Sequence, residues 1–436
     1  MIIIYRYLIL VLITLSNLTF AQNFWERISS PTENFLRTLH FTDSLRGWVA
    51  GDSGVIFYTS DGGLNWTQQE TNTTNKIMKL FFLDDNRAWA LAWADAGVSD
   101  NLFYGTEILQ TTNAGENWTL EQYREENVFL SAIYFIDSLK GFIGGAPGQF
   151  LRTLDGGLSW EPVVIAPLPF AHFPVVNFKF YNSQYGFATG GALDMAGVVW
   201  KTVDGGEYWV PIDIAYAPPD PIWDVHFFDS STVLVSSGDP ELFGVSFLKS
   251  FDAGFSWNYN EIGILGVARS LGFRNDNEGW AAVPLGQLLL YTKDYGDTWS
   301  EFFAPDSSSI YQITFTDSLT GYGVGEEGVI VKYKYQSSDF VDENFFPEVK
   351  DFALYQNFPN PFNPSTTISY YISEPGNVSI KIYDVIGNLI FTLLEENNTS
   401  GKYNLVWNAD SKPSGIYYVQ LNVDGKLSTK KMVLLK

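Results

Sequence analysis

Seven times along the chain an alternating apolar stretch runs into a short polar centre and out into a second apolar stretch, as in Phe41-Thr42-Asp43-Ser44-Leu45-Arg46-Gly47-Trp48. The relatives of this segment begin at Phe82, Phe135, Phe180, Phe227, Phe273 and Phe315, and end at Trp89, Phe142, Phe187, Leu234, Trp280 and Tyr322. A period of two describes strands that bury one face, and the Asp/Asn-Ser centre turns the chain. Each segment therefore predicts an antiparallel hairpin.

A second pattern follows six of the seven hairpins, in the form Thr59-Ser60-Asp61-Gly62-Gly63-Leu64-Asn65-Trp66. Its other copies start at Thr111, Thr153, Thr202, Ser250 and Thr292, with Trp118, Trp160, Trp209, Trp257 and Trp299 at their ends. The third residue is Asp61, Asn113, Asp155, Asp204, Asp252 or Asp294, and the fifth is always Gly. A short acid or amide that accepts backbone N–H groups two or three residues on, followed by a residue free to take positive φ, makes a tight turn. The Trp then enters a strand. Spacings of 52, 42, 49, 48 and 42 residues between successive Trp are those of a propeller blade.

The seventh hairpin continues into Val329-Ile330-Val331-Lys332-Tyr333 without a turn motif, while Trp25-Glu26-Arg27-Ile28 near the other end looks like the strands opened by Trp66 and Trp118. Seven hairpins and seven outer strands imply an all-β, seven-bladed propeller whose N-terminal strand completes the last blade and leaves no open edge.

Composition narrows the function. The chain has 436 residues, 46% hydrophobic and 17% aromatic, enough for a large core. A net charge of −23 repels a phosphate backbone and argues against nucleic acid as a partner. There is no Cys, which removes disulfides, thiolate catalysis and Cys-ligated zinc. His40, His172 and His226 are isolated from one another in sequence, and His40 and His226 each precede a hairpin Phe, so they read as packing residues; no metal site and no cofactor is expected.

The ends of the chain are different in kind. Residues 1–21 carry Arg6, an apolar run from Tyr7 to Leu15 and a Thr19-Phe20-Ala21 exit, which reads as a cleaved signal peptide and leaves no transmembrane span in the mature protein. Residues 22–335 form the propeller and the acidic, polar residues 336–351 a linker. In 352–436 a proline-studded, extended lead-in precedes strands expected at 378–383, 389–394, 403–407, 416–423 and 426–435, a small Ig-like β-sandwich.

The Thr-x-Asp-x-Gly-x-x-Trp copies resemble the Asp-box, or bacterial neuraminidase, repeat. Joined to the Phe-x-Asp-Ser-x-x-Gly-Trp hairpins, they look most like propellers of the photosystem II assembly factor class, over roughly residues 23–335. That resemblance implies that the box acids are structural and that the photosynthetic role itself is not transferred. The C-terminal region resembles the type A sorting domain of type IX secretion, through Asn357-Phe358-Pro359-Asn360-Pro361-Phe362-Asn363-Pro364-Ser365-Thr366, Tyr383-Asp384-Val385-Ile386-Gly387, Ser414-Gly415-Ile416-Tyr417-Tyr418 and the Lys430–Lys436 terminus. It implies the secretion machinery as a partner, with a secreted or outer-membrane surface location.

In a propeller of this type the box turns share one face with the Asp-Ser hairpin turns, and variable loops on the opposite face are where binding is expected. The candidates are Trp93, Phe103 and Tyr104 in 92–106; Phe170 and Phe173 in 163–175; Tyr216 and Trp223 in 214–223; and Arg37 and Arg269, each four residues before its hairpin Phe. Aromatic loops suit an extracellular glycan or protein ligand. A sialidase needs three Arg around a carboxylate, whereas Arg46, Arg87 and Arg274 fall in hairpin turns on the far face. Asp95, Asp100, Asp220 and Asp224 are the acids available to an inverting glycosidase. The reading is an exported binding protein without catalysis; the alternative is a secreted glycoside hydrolase, sialidase-like or family 74-like.

Overall fold

The computed structural model describes residues 24–94, 104–168, 170–212, 220–239, 244–334, 352–354, 357, 362–372 and 374–434. The expected signal segment 1–21 and the expected linker 336–351 lie outside these. The chain divides into two compact units, Met1–Gln336 and Ser337–Lys436.

Among the described residues seven sheets build the first unit, antiparallel except for one added strand in blade 4. Blade 1 runs outward through Leu36–Phe41, Gly47–Gly51, Ile56–Thr59 and Thr67–Gln69. Blades 2 to 6 repeat this order from the inner strands Lys76–Phe82, Phe129–Phe135, Val175–Phe180, Asp224–Phe227 and Ser270–Phe273. Blade 7 has three consecutive strands, Ile310–Phe315, Gly321–Gly325 and Ile330–Tyr333, and its fourth is Trp25–Ile28, in register from Trp25 opposite Tyr333 to Ile28 opposite Ile330. Blade 4 gains a fifth strand, Val164–Ile165, which pairs in parallel with Tyr208–Ile212. The only helical elements among the described residues are four three-residue 3-10 turns.

The hairpin pattern is explained by what its ends do. The last residue of one hairpin packs on the first Phe of the next blade: Trp48 on Phe82 (4.1 Å between centroids), Trp89 on Phe135 (3.7 Å), Phe142 on Phe180 (5.8 Å), Phe187 on Phe227 (5.4 Å) and Trp280 on Phe315 (5.2 Å). Tyr322 of blade 7 stacks on Phe41 of blade 1 at 3.7 Å and closes the circle. Each such pair contributes about 0.5–1.5 kcal/mol beyond its buried area, so the repeat encodes the contacts between blades as well as the blades.

The box turn differs in detail from the sequence expectation. Asp155 Oδ1 accepts the N–H of Ser159, four residues on, and the Thr153 hydroxyl, while Thr153 Oγ1 accepts the N–H of Gly157 at 2.9 Å. The same bonds recur at Thr59, Thr202, Ser250 and Thr292, which is why the first position is always a hydroxyl residue. Both the fourth and fifth residues take positive φ, and the fourth tolerates Ala114, Ala253 and Tyr295. In five of the six copies Gly at the fifth is a packing requirement, Gly157 being the exception with nothing nearer than 3.5 Å: a Cβ on Gly206 would lie 2.2 Å from the Phe142 ring, and on Gly254 2.6 Å from Phe187, in the preceding blade. Serine and backbone donors hold the Asp155 carboxyl down at about 2.

In the second unit Gly376–Asp384, Leu389–Asn398, Gly415–Val423 and Lys426–Leu434 form one sheet, and Phe352–Leu354, Ser365–Ile372 and Gly401–Asn408 another. Ile368, Tyr370, Ile380, Ile382, Trp407, Val419 and Leu421 fill the space between. The sequence pattern suggests an extended lead-in over residues 354–368; from Ser365 the chain is instead a full strand, Ser365–Ile372, paired along its length with Gly401–Asn408.

Candidate binding site

The inner strands converge around the axis, and five of them carry a β-bulge at one position: Arg37, Met78, Ser131, Val176 and Tyr311 are the extra residues. All lie four residues before the hairpin Phe. In blades 5 and 6 that position holds Trp223 and Arg269, just ahead of the inner strand. A bulge re-aims its side chain, and bulges favour rims and sites.

Four consecutive blades thereby present Trp223, Arg269, Tyr311 and Arg37 side by side. The Arg269 guanidinium lies 4.2 Å from the Trp223 ring centroid and 5.6 Å from that of Tyr311. Tyr311 meets Phe35 edge-on at 4.5 Å, and Arg37 stands 4.1 Å over Phe35. The result is a stack of alternating rings and guanidinium groups across blades 5, 6, 7 and 1. Beside it a pocket of about 320 Å³ is lined by Val267, Arg269, Pro284, Leu285, Gln287, Ser309, Tyr311 and Glu326.

The two arginines differ in charge compensation. Arg37 makes a two-pronged bond to Asp52, the first residue after the second strand of blade 1. The equivalent residue is Glu326 in blade 7, where it accepts from the Tyr311 hydroxyl at 3.2 Å. In blade 6 it is Pro284. Arg269 thus has no carboxylate among the described residues; burial, and the repulsion of Arg37, push its pKa below the usual value. The buried indole N–H of Trp223 also lacks an acceptor. A cation held between rings with unused donors at a pocket wall is suited to an anionic group on a ligand with planar or apolar parts.

Other expected residues lie elsewhere. Trp93 is not in a loop: it ends the strand Ala88–Trp93, donates its indole N–H to the Leu130 carbonyl and packs edge-on against Phe129, all at the boundary between blades 2 and 3. Tyr104 forms an isolated bridge with Glu126. Phe170, exposed and at positive φ, and Phe173 contact each other at 5.3 Å. Phe103, Tyr216, Asp95 and Asp100 lie outside the described residues. Asp224 is also not in a loop: it opens the inner strand of blade 5, and its carboxylate accepts from Asn177, Val225 N and Leu271 N. Asp220 is buried and accepts from Asp194 N. Arg46, Arg87 and Arg274 pair with Asp43 and Asp85, with Asp84, and with Glu278 in the hairpin turns. Tyr311, Phe35 and Pro284 were missed by sequence reasoning, although Tyr311 shares the four-residue offset that singled out Arg37 and Arg269.

Comparison with known proteins fits this architecture. Residues 18–94 match the family model of the photosynthesis system II assembly factor YCF48, and residues 356–435 that of the secretion system C-terminal sorting domain. The photosystem II assembly lipoprotein Ycf48 of Picosynechococcus is 24% identical over 361 residues, 72% of this chain and 89% of that protein. A solved structure of YCF48 bound to D1 peptide superposes with a TM-score of 0.56 at 19% identity, covering 72% of this chain and 98% of the other. The GH74 xyloglucanase from Xanthomonas campestris shares the fold with a TM-score of 0.57 at 12% identity, covering 79% and 59%. Among the described residues no helix is long and apolar enough to cross a membrane.

Proposed function

We propose that this secreted propeller is a non-catalytic binding protein that takes a carboxylate-bearing polypeptide segment at the axial mouth, and that residues 352–436 direct it through type IX secretion to the cell surface or the medium. The first half rests on Arg269, a cation stacked between Trp223 and Tyr311 and left without a carboxylate because blade 6 carries Pro284 where blade 1 has Asp52. An extended peptide would lay side chains on the Trp223, Tyr311 and Phe35 rings and bring a carboxylate to the guanidinium. That YCF48 has been solved with a peptide supports a peptide in place of a glycan. The second half rests on the sorting-domain match at 356–435.

Titration of the Trp fluorescence with acidic peptides tests the site. Arg269→Gln should weaken binding about tenfold or more, and Pro284→Asp, which returns a carboxylate to blade 6, should do the same without removing the cation. Equal binding by both variants would overturn the reading. Deleting residues 352–436 should strand the propeller in the periplasm; surface display of the truncated protein would reject the sorting role.

A further inference from the structure

Neighbouring blades 6 and 7 carry opposite, uncompensated charges on the walls of one pocket. In each blade two positions decide this: the residue four before the hairpin Phe and the first residue after the second strand. In blade 1 they are Arg37 and Asp52, which neutralise each other. In blade 6 they are Arg269 and Pro284, a cation without its acid, and in blade 7 they are Tyr311 and Glu326, an acid without its cation. Among the described residues the Glu326 carboxylate bonds to the Tyr311 hydroxyl and to no Lys or Arg, Arg269 included. Yet Arg269 and Glu326 line the same pocket.

The backbone around Glu326 is held in place. Its N–H donates to the Ser309 carbonyl at 3.0 Å, and its own carbonyl accepts from Val329 N at 3.0 Å. Gly325 approaches Ser309 so closely that a Cβ there would lie 1.8 Å from the Ser309 oxygen. Tyr311 fixes the side chain, donating its hydroxyl to Oε1 at 3.2 Å while its ring lies 5.6 Å from the Arg269 guanidinium. Glu326 is otherwise exposed, which leaves Oε2 to a ligand. Val267, Pro284 and Leu285 give the pocket an apolar wall beside the two charges. Its volume of about 320 Å³ is at the low end of ligand sites and suits a side chain or a chain end.

Taking the mouth as the peptide site proposed above, we infer that its ligand carries an ammonium group next to the carboxylate, and that this pocket reads the pair: carboxylate on Arg269, ammonium on Glu326. A purely acidic segment brings its charge against Glu326 as well as to Arg269, whereas a dipolar one meets an opposite charge on each wall. A Lys side chain supplies such an ammonium, with its methylene stem along Val267, Pro284 and Leu285. The α-ammonium at the start of a peptide supplies it without the stem. Arg269 attracts any carboxylate, so Glu326 is the residue that selects among acidic peptides.

Three short peptides with amidated C-termini test this by Trp fluorescence titration: one acetylated with Glu next to Lys, one acetylated with Glu next to Gln, and one unblocked that begins with Glu and Gln. The wild-type protein should bind at least one ammonium-bearing peptide about fivefold more tightly than the acetylated Glu-Gln peptide, the effect of an exposed charge pair. Which of the two it prefers tells a Lys side chain from a chain end, and either sustains the inference. Glu326→Gln, whose amide oxygen still accepts from Tyr311, should abolish the preference without weakening the acetylated Glu-Gln peptide. Arg269→Gln should weaken all three about tenfold. If Arg269→Gln changes none of them, the peptide reading of the mouth falls. If it weakens all three while the wild-type protein ranks them equally, or while Glu326→Gln keeps the preference, the role of Glu326 alone is overturned.

Discussion

The indole of Trp223 lies 4.2 Å from the guanidinium of Arg269, and its buried N–H has no acceptor. Trp93 presents the opposite case, with its N–H bonded to Leu130 and its ring packed against Phe129. Trp223→Ala should therefore reduce peptide binding about tenfold with little change in melting temperature. Trp93→Ala should cost about 2 kcal/mol or more of stability and leave the affinity of the folded fraction intact. Fluorescence titration beside thermal unfolding separates them; loss of binding by a stable Trp93→Ala protein would move the site to blade 2.

Ring closure depends on Trp25. It is buried and contacts Trp280, Phe315 and Tyr333 edge-on at 5.5 to 5.9 Å while its strand completes blade 7. Trp25→Ala should cost about 3–5 kcal/mol in urea denaturation and expose a sheet edge that promotes association. An unchanged unfolding midpoint would mean that blade 7 holds without its outer strand.

For the box turn, Thr153→Val keeps the shape of a buried side chain and removes the acceptor for Gly157 N–H. A loss of about 1–2 kcal/mol is expected, with peptide affinity unaffected because the turn lies on the face opposite the mouth. Lost affinity in a fully folded variant would place function on the box face.

Stability should also fall between pH 7 and 5. Burial first, and Lys179 second, lower the folded pKa of His40 to about 4 and of His226 to about 3, against 6.5 for the unbound side chain. Below 6.5 the unfolded chain takes up protons that the folded one refuses, so these groups contribute stability above 6.5 and lose it down to their folded values. For two histidines the loss from pH 7 to 5 is roughly 4 kcal/mol. The charged group acting on both is Lys179, and the rings packed against them are Phe82 for His40 and Phe228 and Phe273 for His226. Replacing His226 by Phe, the residue at this position in blade 2, should remove about half of the slope in denaturant melts across this range.

Local pattern in the sequence determined the propeller. Period-two alternation, the turn chemistry of the Asp box and the Phe and Trp at hairpin ends are local signals repeated at blade spacing, and each repeat specifies its own strands and its contact with the next blade. The spare Trp25 strand was legible for the same reason, since an outer strand missing at one end matched a surplus one at the other. The site was legible only in part. Arg37 and Arg269 stood out by their offset from Phe41 and Phe273, but which arginine is left without a carboxylate depends on Asp52 and Pro284, residues beyond a hairpin turn that only the folded blade brings beside them. Trp93 and Asp224 looked like loop residues because strand ends carry no sharp sequence boundary. The bonds that run from Lys79 through Asn177 to Asp224 could not be read from a linear pattern: the three residues come from three blades, and only closure of the ring brings their strands together.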